Sequence, residues 1–116
     1  MPRRTIVSGR SVSVDTTETN LLQDAAITAA VPLTDVDSYA LVVANTGAAD
    51  ITLRMYLQAG TVAGLRVQSA VTATVAAGGT WSYQLSGNAM TGISLTGQTA
   101  ASSTTIVTDL CGVIYP

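Results

Sequence analysis

The chain alternates. Ile51, Leu53, Met55 and Leu57 are separated by Thr52, Arg54, Tyr56 and Gln58, a period of two that turns one apolar face inward and one polar face outward. Ahead of this run, Ser38 to Ala44 is apolar on both phases, as a central strand of a packed sheet is. Asn45-Thr46-Gly47-Ala48-Ala49-Asp50 lies between the two. Its Asn and Gly accept turn dihedrals, so the pattern predicts a hairpin. The same grammar recurs downstream. Val71, Ala73 and Val75 alternate with threonines, Ala76-Ala77-Gly78-Gly79 turns the chain, and Trp81, Tyr83 and Leu85 alternate with Ser82 and Gln84. A second hairpin is predicted there.

Further strands are predicted at Ser11 to Asp15, around Leu65 and Val67, at Ile93 and Leu95 between Gly92 and Gly97, and along the β-branched run Thr104 to Ile114. Thr16 to Ala30 resists both periods, and Pro32 limits any helix around Asn20 to Ile27, so the segment reads as loop plus an edge strand. Gln98 to Thr104 reads as an exposed loop. Seven to nine short strands divided by turn residues predict an all-β fold: a single-domain antiparallel β-sandwich, jelly-roll-like or β-tulip-like. Residues 1–15 form a short N-terminal arm with the first edge strand and residues 16–116 the sandwich domain.

Composition narrows function more by what is missing than by what is present. The 116 residues contain no His, no Lys and no Phe, one Cys, and only 10% charged residues. Those absences remove most of the side chains that move protons, form Schiff bases or capture metals near neutral pH. A Ser-His-Asp triad has no base here, so the expectation is a protein that is not an enzyme and needs no cofactor. Gly78-Gly79 lacks the Lys of a phosphate loop. Asp15-Thr16-Thr17 lacks the glycine of an aspartic-protease turn, and Asp35-Val36-Asp37 offers two carboxylates where calcium takes six or more oxygens. Cys111, flanked by Leu110, Gly112 and Val113, is expected to be an inert cysteine in a buried strand.

No apolar run reaches the length of a membrane span, and Met1 to Arg10 has no apolar stretch behind its charges, so no signal peptide and no export are expected. Charge is uneven. Arg3, Arg4 and Arg10 open the chain, while Arg54 and Arg66 sit among seven acids. Three arginines without interleaved aromatics make few phosphate contacts and the acidic body repels nucleic acid, so an acidic protein surface is the expected target of the arm. The aromatics are Tyr39, Tyr56, Trp81, Tyr83 and Tyr115. Trp81 and Tyr83 share a face and could stack on a sugar, but with no Phe in the chain Trp81 is first needed as core filling. Tyr56, on the polar phase beside Arg54, is the better exposed anchor.

A small, cysteine-poor β-sandwich with a short basic arm and turns such as Asn45-Thr46-Gly47 and Val75-Ala76-Ala77-Gly78-Gly79 resembles the capsid decoration, or cement, proteins of tailed bacteriophages. The resemblance implies a structural virion protein on the capsid exterior, made in the host cytoplasm, with the major capsid protein and sister copies of itself (a trimer, or else a dimer) as partners, and no nucleic acid or membrane. It also implies that residues 1–15 touch the capsid or a sister subunit, through Arg3, Arg4, Ile6 and Arg10, joined by Arg54 and Tyr56. The alternative is a small glycan-binding module with Trp81 and Tyr83 as its platform, or another head or tail accessory protein.

Overall fold

A computed structural model describes residues 3–59, 67–88 and 90–114, the side chains of 67–70 excepted. Leu65, Arg66 and Tyr115, all singled out in the sequence, lie outside the described residues. Among the described residues there is no helix and there are nine strands: β1 (Arg3–Val14), β2 (Thr19–Asn20), β3 (Val31–Pro32), β4 (Val36–Asn45), β5 (Ile51–Gln58), β6 (Val67–Val75), β7 (Thr80–Leu85), β8 (Gly92–Gln98) and β9 (Thr104–Ile114). They form two antiparallel sheets. Sheet I has the order β1-β9-β4-β7 and sheet II the order β2-β8-β5-β6, with β3 also on β8.

The order has a simple origin. β5 pairs β6, β4 pairs β7, β2 and β3 pair β8, and β1 pairs β9, so the chain is one long antiparallel ribbon with its tip at β5 and β6 and the chain ends at its base. The ribbon bends three times, and successive pairs fall alternately in sheet II and sheet I. That is a jelly roll. Alternation then fills the space between the sheets: Leu41 and Val43 of β4, Leu53 and Met55 of β5, Ile93 and Leu95 of β8, and Ile106 and Leu110 of β9 are all buried.

Neither predicted hairpin exists as such. β4 and β5 are in different sheets, as are β6 and β7, so Asn45 to Asp50 and Ala76 to Gly79 are arches that carry the ribbon from one sheet to the other. Turn residues announce a reversal of the chain but not which strand will be its partner. The two arches lie side by side: Asn45 N–H donates to Gly79 O at 2.9 Å, Gly78 N–H to Asn45 O at 2.9 Å, and Ala77 N–H to Asp50 Oδ1 at 3.0 Å. Gly78 takes the positive φ (78°) that this turn requires.

Each bend is tied by polar side chains. Asn45, 1% exposed, donates through Nδ2 to Ala49 O and Val75 O, and its Oδ1 accepts from Thr104 Oγ1 and Gly47 N–H. At the opposite end Asn88 donates to Leu33 O, Val36 O and Met90 O. At the third bend Asp15 caps its own turn by accepting Thr17 N–H at 2.8 Å, and its carbonyl accepts Thr99 N–H at 2.8 Å. The segment after β1 crosses the outside of β8, where Ser94 donates to Ile27 O and Leu21 N–H to Leu95 O.

Candidate interaction surface

The outward phase of sheet I is built from short side chains. β4 contributes Ala40, Val42 and Ala44; β9 contributes Val107, Asp109 and Cys111; β7 contributes Thr80, Ser82 and Gln84. Register sets Ala40 between Cys111 and Gln84, Val42 between Asp109 and Ser82, and Ala44 between Val107 and Thr80. Val42, at 39%, is the one large hydrophobic exposed among the described residues. Asp109 accepts Gly9 N–H at 2.6 Å, which ties its carboxylate to the backbone of β1. Toward the chain ends the face dips into a cleft of about 440 Å3 lined by Arg3, Ser38, Ala40, Gln84, Ser86 and Cys111.

Cys111 is therefore exposed and not a core residue. Strand alternation dictates this placement. Leu110 and Gly112 turn inward, which forces Cys111 outward, whatever the apolar character of its neighbours.

The residues of the basic arm are not held alike. β1 pairs β9 of its own chain from Arg3↔Val113 to Val14↔Thr104, so the arm segment is an edge strand of sheet I. Arg3 lines the cleft. Arg4 is engaged within the chain, donating both Nη atoms to Asp35 at 2.5 and 2.8 Å. That hydrogen-bonded guanidinium holds the Asp35 carboxyl below its ordinary value. Ile6 turns inward and packs against the core. Arg10 is half-buried across from the buried Thr108.

Arg54 and Tyr56 lie on the opposite side of the molecule, on the outward phase of sheet II. Arg54 Nη1 donates to Gln98 Oε1 at 2.6 Å, and Tyr56 OH donates to Glu18 Oε2 at 3.3 Å; Thr96 Oγ1 donates to the same carboxylate oxygen. Of the six predicted contact residues, Arg3 alone lines the cleft; Arg4 is held by Asp35, Ile6 packs against the core, Arg10 is half-buried, and Arg54 and Tyr56 lie on sheet II. Glu18 went unnoticed in the sequence because nothing in Thr16 to Ala30 marks which residue would lie over β8.

Trp81 and Tyr83 are on the inward phase of β7, stacked at 6.1 Å between ring centroids with an interplanar angle of 11°. Both pack against the core but are only half-buried, because β7 is the edge of its sheet. Tyr39 lies 6.5 Å from Tyr83 and is buried with its hydroxyl unpartnered; burial, then the neighbouring Tyr83, pushes its pKa up to about 12. Among the described residues no three His, Cys, Asp or Glu side chains converge as a metal site would require.

No protein-family model matches the sequence, and no curated protein does. Solved structures do resemble it. PirA has a TM-score of 0.60 at 19% identity, over 87% of this chain and 93% of PirA. Pseudomonas aeruginosa AlgX has a TM-score of 0.58 at 16% identity, over 95% of this chain and 26% of AlgX. VP2 in the infectious bursal disease virus subviral particle has a TM-score of 0.52 at 14% identity, over 98% of this chain and 32% of VP2. The chain therefore spans about a quarter to a third of the latter two. At these identities the likeness establishes a shared β-sandwich fold.

Proposed function

We propose that this chain is a structural virion protein that binds the outer surface of a phage capsid and stabilises it by bridging neighbouring subunits, acting by interface burial and not by catalysis. The observation that carries the reading is the outward face of sheet I. Its Ala, Val, Ser and Thr side chains lose little rotamer freedom when covered, and its one acid, Asp109, already accepts a backbone hydrogen bond. Arg3 stands at the rim of that face, with no carboxylate bonded to it among the described residues, and supplies charge for an acidic patch on the major capsid protein.

Two further points support the reading. About a third of VP2, a protein of a subviral particle, shares this sandwich fold at a TM-score of 0.52. The glycan alternative needs a flat, exposed ring platform, whereas Trp81 and Tyr83 face the core side of their strand and are half-buried. The test is immunogold labelling of particles of the encoding virus with an antibody to the chain. Labelling spread over the head supports the role; labelling confined to the tail, or none, overturns it.

A further inference from the structure

We infer that the free edge of β7 pairs with β7 of a second copy of this chain, antiparallel about a two-fold axis at Ser82, and joins two four-stranded sheets into one of eight. A sheet edge presents unpaired N–H and C=O groups, and proteins blunt such edges with charge, proline, bulges or brevity. Three of the four edges here are blunted. β1 carries Arg3, Arg4 and Arg10 and two register shifts against β9. β2 and β3 are two residues long, and β3 ends in Pro32. β6 has a register shift against β5 between Arg54 and Tyr56. β7 has none of these devices: Thr80 to Leu85 holds no charge, proline or glycine and pairs β4 in unbroken register from Ala44↔Thr80 to Tyr39↔Leu85. Among the described residues no strand pairs its far side.

A second observation points the same way. Trp81, Tyr83 and Leu85 face inward yet are half-buried, while Leu41 and Val43 on the adjacent β4, and Ile106 and Leu110 on β9 beyond it, are sealed. Among the described residues β7 carries three of the half-buried hydrophobics that pack on the core, against two on β1 (Ile6 and Val12) and one each on β5, β6 and β9, and those of β7 include the only tryptophan of the chain.

The occupant that fits is the strand itself. Directly opposed residues of an antiparallel pair share a face, so a two-fold axis must fall on a residue. With the axis at Ser82, Trp81 meets Tyr83 of the second copy and Thr80 meets Gln84, which sets ring against ring twice on the inner face. A symmetric pair opposes every central charge to its own kind, and β7 has no charge to oppose. An acidic or basic peptide would find no counter-charge there. This pairing does not depend on the virion reading, and its failure would leave that reading standing.

The test is sedimentation of the full chain as wild type, S82K and S82E, separately and mixed. Ser82 is exposed on the outer face, so neither substitution disturbs the core. The wild type is expected to be a dimer; each variant alone should associate at least about tenfold more weakly, because two like charges meet at the axis. An equimolar mixture of S82K and S82E should restore the dimer. Trp81 emission of the wild type should shift to the red on dilution through the dimer range. A monomeric wild type, a variant with the oligomeric mass of the wild type, a mixture that stays monomeric, or emission indifferent to dilution would each overturn the pairing.

Discussion

Thr104 Oγ1 donates a 2.6 Å hydrogen bond to Asn45 Oδ1 in the interior, where the loop before β9 meets the two arches that carry the ribbon between sheets. Asn45 also donates to Ala49 O at 2.8 Å and Val75 O at 3.1 Å, so one side chain ties three separate connections. Replacing it with Ala leaves buried carbonyls and a hydroxyl unpaired. N45A is expected to lose about 2–4 kcal/mol in urea unfolding. Thr104→Val removes one bond and should cost less.

Gly47 lies against the same loop. A Cβ built there meets Thr104 Oγ1 at 2.1 Å and Thr105 N at 2.6 Å, and the second of these is backbone that cannot rotate away. Gly47→Ala is expected to destabilise the protein by about 1–3 kcal/mol despite its small size, measured by thermal melting.

Tyr39 keeps its proton more tightly in the fold than in the unfolded chain, since burial and Tyr83 raise its pKa from 10.0 to about 12. Its contribution to stability is therefore complete below pH 10 and disappears as the pH rises toward 12. Tyr39→Phe should flatten that alkaline loss. It also removes a buried hydroxyl with no partner, so stability at pH 7 is expected to stay the same or rise by up to about 1 kcal/mol.

Asp35 titrates in the opposite sense. Its depressed pKa, due first to the Arg4 hydrogen bonds, means that the pair contributes above the ordinary carboxylate value of 3.8 and that the contribution is lost as the pH falls through the lowered folded value. In Arg4→Ala the Asp35 carboxyl, followed by NMR, should move back up toward 3.8, with little change in melting temperature at pH 7, since both partners are exposed.

Much of this architecture was legible in the period of two. Ile51 to Gln58 and Trp81 to Leu85 appear as strands where alternation placed them, and Thr104 to Ile114 where its β-branched run did. Pairing was not legible, because Asn45-Thr46-Gly47 and Gly78-Gly79 encode a bend and not the sheet into which the chain bends. The burial of Asn45 distinguishes an arch from a hairpin tip, and no local pattern reveals it. Cys111 was misplaced for a simpler reason: apolar neighbours suggested depth, although the phase of Leu110 already pointed the cysteine outward. The contact residues were the least legible. Arg3 and Arg4 are identical neighbours in sequence, yet one lines an open cleft and the other is held by Asp35, 31 positions away.

If the outward face of sheet I is the docking surface, substitutions on it should separate binding from folding. Val42→Asp and Arg3→Glu are expected to reduce recovery of the chain with capsid particles by tenfold or more, on the order of 1.4 kcal/mol each, while leaving the unfolding midpoint within about 0.5 kcal/mol of wild type. Arg54→Glu, on sheet II, serves as the control and should leave recovery unchanged.

Cys111 offers the most direct measurement, since it sits on the proposed docking face and is the only thiol in the chain. Its alkylation rate would be compared for the free native protein and for the protein carried on purified virus particles. Rapid, complete modification is expected for the free chain, and modification at least about tenfold slower on the particle, where the face is covered. Equal rates on a particle that carries the chain would contradict the docking face, and particles that lack the chain altogether would contradict the virion role itself.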